Sequence, residues 1–218
     1  MKKVIIFDLD GTLLNTIEDL AAATNYALKE LKLPTYSVNT IQSFVGNGIG
    51  LLIKRALGSE NEYFFEKALS LFKTYYALHI HDFTKPYPNI IETLEELKKL
   101  NFKIGIVSNK FQKGIDLLVD YFFKGLIDFS LGENKGVEKK PNPAMINIAL
   151  HALNASNQEV IYVGDSIVDY QTAINSNLTF VGVSYGFGLE KLKELKLKYL
   201  INDAKEIIKI IKEINENE

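Results

Sequence analysis

The sequence predicts an α/β protein: a doubly wound parallel sheet with a small all-helical domain inserted after its first strand. Continuous apolar runs rich in β-branched residues recur at Val4-Ile5-Ile6-Phe7, Ile104-Gly105-Ile106-Val107, Val160-Ile161-Tyr162-Val163 and Phe180-Val181-Gly182-Val183. Such runs mark strands covered on both faces. Before and between the last three lie segments of helical spacing, such as Ile90 to Leu100, Ile115 to Phe122 and Ala144 to Leu153. Strand alternating with helix implies parallel pairing through crossovers. The stretch from about Leu14 to Lys85 breaks that alternation and reads as helices only.

Taken in order, the first strand, Val4 to Phe7, runs directly into acids. Thr16, followed by Asp19, reads as the N-cap of a helix whose apolar face is Ile17, Leu20, Ala21, Thr24, Leu28 and Leu31. Two prolines in Thr84-Lys85-Pro86-Tyr87-Pro88 stiffen the return to the sheet. The expected domains are therefore a core of residues 1–13 and 86–218 and a helical domain of residues 14–85. The helical domain would sit over the carboxyl ends of the strands, where open α/β sheets bind ligands. Further on, Asn142 before Pro143 reads as a helix start, and Asp203 with Glu206 opens a terminal amphipathic helix. The tail Asn215-Glu216-Asn217-Glu218 is expected to fray.

Composition narrows the function classes. At 218 residues, 47% hydrophobic and 24% charged, the chain can bury a core and lacks the polar bias of a disordered protein. A net charge of −2 provides no global positive field for nucleic acid or anionic lipid. The absence of cysteine excludes disulfides, thiolate metal sites and a cysteine nucleophile, and fits a reducing compartment. Met1-Lys2-Lys3 precedes an apolar run that ends at Asp8, too short for a signal peptide or membrane span, so the expected location is cytoplasmic.

Four motifs carry chemistry. In Phe7-Asp8-Leu9-Asp10-Gly11-Thr12-Leu13, two carboxylates at i and i+2 follow a buried strand, and their mutual repulsion suggests a divalent metal. The plainer alternative is a polar loop with Asp10-Gly11 forming a turn. Val163-Gly164-Asp165-Ser166-Ile167-Val168-Asp169 repeats the pattern, and Asp165 with Asp8 matches the few carboxylates that Mg²⁺ prefers. Asp165 or Ser166 also suits an N-cap. Ser108-Asn109-Lys110 could cradle phosphate oxygens with a hydroxyl, an amide and the amides of a starting helix, or simply cap it. One lysine of Lys139-Lys140-Pro141-Asn142-Pro143 near a strand end would neutralise an aspartate and a phosphate, although such a run also suits a solvated loop.

In order and spacing these pieces resemble the haloacid dehalogenase superfamily of phosphohydrolases over nearly the whole chain, which implies a Rossmann-like core. The resemblance implies that Asp8 is the nucleophile and that Asp10 is the general acid and then base, lending its backbone carbonyl to Mg²⁺. It implies Asp165 as a further metal ligand, Asp169 and Ser166 as supports around it, and Ser108 and Lys140 as grips on the phosphoryl oxygens. The helical insert stands where that superfamily places a mobile cap, and Val45-Gly46-Asn47-Gly48-Ile49-Gly50-Leu51-Leu52-Ile53 resembles the cap of the phosphoglycolate phosphatases. Thr12, Gly46, Asn47, Gly48, Ser108, Asn109, Lys110 and Lys140 are then the expected substrate contacts. The implied partner is a small phosphorylated metabolite, with 2-phosphoglycolate first, acted on by a monomer or homodimer. A sugar-phosphate phosphatase, a pyrophosphatase and a hexose-phosphate mutase are the alternatives within the superfamily. A receiver-like signalling module is the alternative outside it, and a partner-binding protein on a degenerate enzyme fold is disfavoured because every motif acid is present. Asn89 and Asn175-Ser176-Asn177 stand where relatives usually carry glycine, and Asn tolerates the left-handed conformation. His79-Ile80-His81-Asp82 lacks further ligands at a zinc spacing and reads as surface or hinge contacts. Tyr63-Phe64-Phe65, Phe72, Tyr75 and Tyr76 read as cap core or a dimer face.

Overall fold

Six parallel strands form the core of the protein in a computed structural model that describes residues 1–217. They are β1 (Val4–Phe7), β4 (Lys103–Phe111), β5 (Phe129–Glu133), β6 (Val160–Gly164), β7 (Thr179–Val183) and β8 (Leu200–Ile201), in the spatial order β5-β4-β1-β6-β7-β8. All pairings are parallel, with Ile5 opposite both Ile104 and Ile161. Every β1 residue is buried because helices cover both faces. Ile5 and Phe7 join an apolar cluster with Leu94 of α5 (Ile90–Lys99), Leu118 of α6 (Gln112–Phe122) and Ile207 of α10 (Glu206–Asn217). Val4 and Ile6 face the other way, toward Ile146 of α7 (Ala144–Leu153) and Ala173 of α8 (Ile167–Asn175). The chain visits β4 and β5 on one side of β1 before crossing to β6. This reversal opens a crevice at the carboxyl end of β1.

Two core strands lacked a sequence signal. Phe129-Ser130-Leu131-Gly132-Glu133 is a sheet-edge strand, with only Leu131 and Gly132 buried, and β8 has two residues. Conversely, β4 extends past the expected run to Phe111, so Ser108, Asn109 and Lys110 are strand residues. Their amides are not those of a starting helix, because α6 begins at Gln112.

The insert contains α1 (Ile17–Glu30), α2 (Val38–Phe44), α3 (Ile49–Leu57), a 3₁₀ turn (Ser59–Phe64) and α4 (Phe65–His79). It is not purely helical, because β2 (Leu14–Asn15) and β3 (Lys85–Pro86) pair antiparallel at its base, Leu14 opposite Pro86. Its apolar side is continuous with one sheet face, so Leu28, Ile41 and Phe72 belong to the same cluster as Ile5 and Phe7. Within the aromatic set, Phe72 and Tyr76 are core, Tyr75 stacks on Tyr26 at 4.5 Å, and Tyr63 is exposed. His79 pairs with Asp82 at 2.7 Å and His81 lies against Tyr121, so each has a local contact.

The end signals are realised unevenly. Thr16 occupies the N-cap position of α1 without a capping bond. Asp19 instead accepts hydrogen bonds from the backbone N–H groups of Phe83 and Thr84, at 3.1 and 2.8 Å, and from the Thr84 hydroxyl at 2.6 Å. The donors that fix Asp19 thus come from the returning chain and not from the start of its own helix. Asn142 accepts from the Ala144 N–H at 2.9 Å, but the cap position of α7 falls on Pro143, one residue after the expected one. Glu206 accepts from Asn202 and Asp203, and Asp203 accepts from Lys205, so the start of α10 is fixed as read. The tail is more ordered than expected: α10 reaches Asn217, and Asn215 accepts from the Lys2 N–H at 2.5 Å, while Glu218 lies outside the described residues. Asn89 (φ 63°) and Asn177 (φ 51°) adopt the left-handed conformation read for them. Among the described residues, no helix is long and apolar enough to cross a membrane.

Asp19 is buried and is the acceptor that joins the two ends of the insert. Asp19→Ala leaves two backbone donors without that acceptor. Urea unfolding should show a loss of about 2–3 kcal/mol, the scale of hydrogen bonds to a charged group.

Candidate active site

Three buried carboxylates meet at the crevice. Asp8 follows β1, Asp165 follows β6, and Asp169 lies in the first turn of α8, with one oxygen from each within 4.8 Å of the others. One ammonium stands among them. The Lys140 Nζ is 2.9 Å from Asp8 Oδ1 and 2.7 Å from Asp169 Oδ1, and it donates to the Tyr162 hydroxyl at 2.9 Å.

Neighbouring donors divide the three acids by role. Asp169 is saturated: Oδ1 accepts from Lys140 and Tyr162, and Oδ2 accepts from the Ser166 N–H and hydroxyl. Ser166 in turn accepts from the Asp169 N–H, so the cap of α8 is also the bracket that aims Asp169 at Lys140. Asp165 accepts from the Thr12 hydroxyl at 3.1 Å and from the Phe187 and Gly188 N–H groups at 2.7 and 3.3 Å. Asp8 Oδ1 is buried, and its close partner is the Lys140 ammonium at 2.9 Å, with no backbone or hydroxyl donor beside it among the described residues.

The electrostatics follow from this crowding. Burial pushes the Asp8 carboxyl up to about 6, with Lys140 pulling it down and Asp169 pushing it further up. Burial, then Asp169 and Asp8, holds Asp165 well above the carboxylate range. Burial opposes the charge of Lys140, yet Asp169 and Asp8 outweigh it and keep the ammonium firmly protonated. Three acids against one base leave uncompensated negative charge, and hard carboxylate oxygens suit a divalent cation. Asp8 and Asp165 fit as its ligands. Asp169 does not, because its oxygens are already committed to Lys140, Tyr162 and Ser166, which matches the supporting position expected for it and for Ser166.

Asp10 turns away from this cluster. Its carboxylate accepts from Lys110 Nζ at 2.9 Å through Oδ1 and 3.3 Å through Oδ2, and the same nitrogen donates to the Tyr76 hydroxyl at 2.7 Å. A metal contact from Asp10 therefore rests on its backbone carbonyl. Lys110 lines the cavity as expected, but its side chain is 1% exposed and its ammonium is engaged by Asp10 and Tyr76. Thr12 is fully buried behind Asp165 and forms no part of the cavity wall.

Asp8, Asp10 and Asp165, with Ser108 and Lys140, form the floor of a cavity of about 340 Å³. Gly46, Asn47 and Gly48 of the insert line the same cavity. Gly46 (φ 110°) and Gly48 (φ 84°) take backbone conformations that suit glycine, and a Cβ on Gly48 would lie 2.9 Å from Glu133 Oε2 and 3.1 Å from the Asn109 carbonyl. Arg55 holds this loop, donating to the Phe44 carbonyl at 2.7 Å and to Asn47 Oδ1 at 3.1 Å. Asn109 grips the Lys140 backbone, donating to its carbonyl at 3.0 Å and accepting from its N–H at 2.9 Å. The structure thus brings the expected residues together, with Thr12 set behind them.

Sequence reasoning passed over Tyr162, Tyr76 and the Gly186-Phe187-Gly188 turn. Tyr162 is the single hydroxyl in an otherwise aliphatic strand run, a usable signal. Gly186 is fixed by close approach, since a Cβ there would lie 2.2 Å from Asp165 Cβ and 2.4 Å from the Gly11 carbonyl.

The family model described as Haloacid dehalogenase-like hydrolase matches residues 5–183. A phosphoglycolate phosphatase of Vibrio parahaemolyticus is 32% identical over 96% of this chain and 96% of its own. One of Pseudomonas syringae is 32% identical over 95% of this chain and 79% of its own. The crystal structure of a predicted phosphoglycolate phosphatase from Haemophilus somnus superposes with a TM-score of 0.89 at 30% identity, covering 96% of this chain and 98% of that one.

Because Asp8 holds its proton more tightly in the folded state, its contribution to stability is present at low pH. That contribution is lost as pH rises from the ordinary 3.8 to about 6. A cation that binds the ionised acids reverses the loss. Differential scanning fluorimetry should show Mg²⁺ raising the melting temperature at pH 7.5 and losing most of that effect at pH 5. An equal shift at both pH values would count against a carboxylate metal site.

Proposed function

As the chain belongs to the haloacid dehalogenase-like hydrolase family, we propose that it is a Mg²⁺-dependent phosphatase that hydrolyses a small phosphomonoester through an aspartyl-phosphate on Asp8. One observation carries the reading: a buried carboxylate at the end of the central strand shares an anion-ready cavity with Lys140, Ser108 and a second acid that lies outside the carboxylate cluster. The phosphoryl group would sit between Asp8 and Lys140, with the Ser108 hydroxyl on another oxygen. An Asp8 oxygen attacks phosphorus and the ester P–O bond breaks. Asp10, acting as the acid, gives a proton to the leaving alkoxide and is left as the carboxylate that Lys110 holds. Water then attacks the aspartyl-phosphate while Asp10 takes its proton, releasing inorganic phosphate and restoring both acids. Mg²⁺, held by Asp8, Asp165 and the Asp10 backbone carbonyl, would neutralise charge between the attacking carboxylate and the phosphoryl oxygens. Lys140 supplies a fixed positive charge oriented by Asp169 and Tyr162, so little reorganisation is needed as negative charge shifts.

For the substrate, 2-phosphoglycolate is supported by the names of the relatives and by the glycine-rich loop facing the cavity. The engagement of Lys110 by Asp10 and Tyr76 favours a second reading, a sugar-phosphate phosphatase, because that ammonium is already taken and is not open to receive a carboxylate. The loop would act from a mobile helical cap, residues 14–85, over the core of residues 1–13 and 86–218.

Asp8→Asn should give folded protein with no detectable Mg²⁺-dependent phosphate release; retained turnover would remove Asp8 as nucleophile. A panel of phosphate esters read by released phosphate should place 2-phosphoglycolate first in kcat/KM, above sugar phosphates and pyrophosphate. A sugar phosphate ranked first would decide for the second reading.

A further inference from the structure

We propose that Lys110 and Tyr76 are positioning residues that hold the Asp10 carboxylate at its working orientation, and that through Tyr76 this orientation depends on the seating of the helical insert. The inference rests on the reading of Asp10 as acid and base. Three separate pieces of chain meet here: Asp10 from the turn after β1, Lys110 from β4 and Tyr76 from α4 of the insert. The ammonium donates to Asp10 at 2.9 Å and to the Tyr76 hydroxyl at 2.7 Å, and it lies 4.7 Å from the centre of the Tyr76 ring. The ring is itself fixed, fully buried and stacked on Phe72 at 5.3 Å, with Phe111 edge-on at 6.1 Å.

Lys110 lines the cavity, yet its ammonium is engaged by protein groups on both sides. Lys110 is 1% exposed on its side chain and its ammonium is held between two protein oxygen groups. Burial works against its charge, but Asp10 and Tyr76 prevail, so the ammonium persists as a fixed donor. Asp10 has no other side-chain donor among the described contacts, so these two residues define where its carboxylate points. If the insert moved away from β4, Tyr76 would leave with α4 and Lys110 would lose one of its two anchors. The acid and base would then be correctly aimed only when the cavity is covered.

The test uses the Mg²⁺-loaded full chain and three esters: 2-phosphoglycolate, glycerol 3-phosphate and p-nitrophenyl phosphate, whose leaving group needs no proton. Lys110→Met should lower kcat on both alkyl esters by roughly 10- to 100-fold, less than the whole contribution of acid–base catalysis, with KM within about twofold. On p-nitrophenyl phosphate it should release a burst of one p-nitrophenolate per enzyme before slow turnover, because the first transfer is spared and the hydrolysis is not. Lys110→Arg should recover part of kcat, and Tyr76→Phe should give the same pattern at smaller amplitude. If Lys110→Met does not fold by circular dichroism, Tyr76→Phe carries the test, since it keeps the ring. A rise in KM confined to 2-phosphoglycolate, or unchanged kcat on all three esters, overturns the proposal. Asp10→Asn separates the two levels. If that variant keeps full activity on the alkyl esters, the acid and base reading itself fails; if it is inactive while Lys110→Met and Tyr76→Phe are unaffected, only the positioning role fails.

Discussion

The arrangement turns on one imbalance: three buried carboxylates gathered within 4.8 Å around a single lysine. Burying such charge is unfavourable unless it is paired and hydrogen-bonded. The surrounding chain answers with the α8 cap that ties Asp169, the turn at Phe187 and Gly188 that ties Asp165, and the Asn109 side chain that grips Lys140. Asp8 is tied least of the three, since the described partner of its carboxylate is the Lys140 ammonium, 2.9 Å from Oδ1. Tight constraint of the neighbours and a lighter hold on Asp8 are thus two sides of the same arrangement.

The sheet makes this crowding possible. Only at the reversal beside β1 do the carboxyl ends of two neighbouring parallel strands, β1 and β6, present acids to a common point while β4 delivers Ser108, Asn109 and Lys110 alongside. The insert completes the enclosure from above, and its apolar side merges with the cluster on one sheet face instead of forming a separate core. Lys110 stands at that junction, where strand, turn and insert share one ammonium.

Much of this was legible in the sequence because buried parallel strands are written as continuous apolar runs and their acids follow at once, as in Val4 to Asp8 and Val160 to Asp165. The order of the motifs carried the family reading, which the match over residues 5–183 supports. What stayed hidden depends on partners far away in the chain. Asp19 looks like a capping residue until Thr84, 65 positions on, arrives with its donors. Lys110 reads as a substrate cation until Tyr76 and Asp10 are seen to take it. Thr12 sits in a motif otherwise facing the cavity, and only the fold shows that its hydroxyl points back at Asp165. Edge strands such as β5 escape because a strand covered on fewer sides needs fewer apolar residues.

The ribbon that joins Leu14 to Pro86 brings the two ends of the helical segment side by side, so the sheet meets that segment through a single narrow doorway. A chain whose ends already touch can be exchanged for one of another length with little change in closure entropy, since that entropy grows slowly with length. The floor of the cavity, with Asp8, Asp165 and Lys140, lies wholly on the other side of that doorway. What covers the cavity can thus be exchanged while the carboxylates and the lysine below keep their places. The exception is Tyr76: any replacement would have to supply its own anchor for Lys110, so that one hydroxyl marks where the modularity of the fold ends.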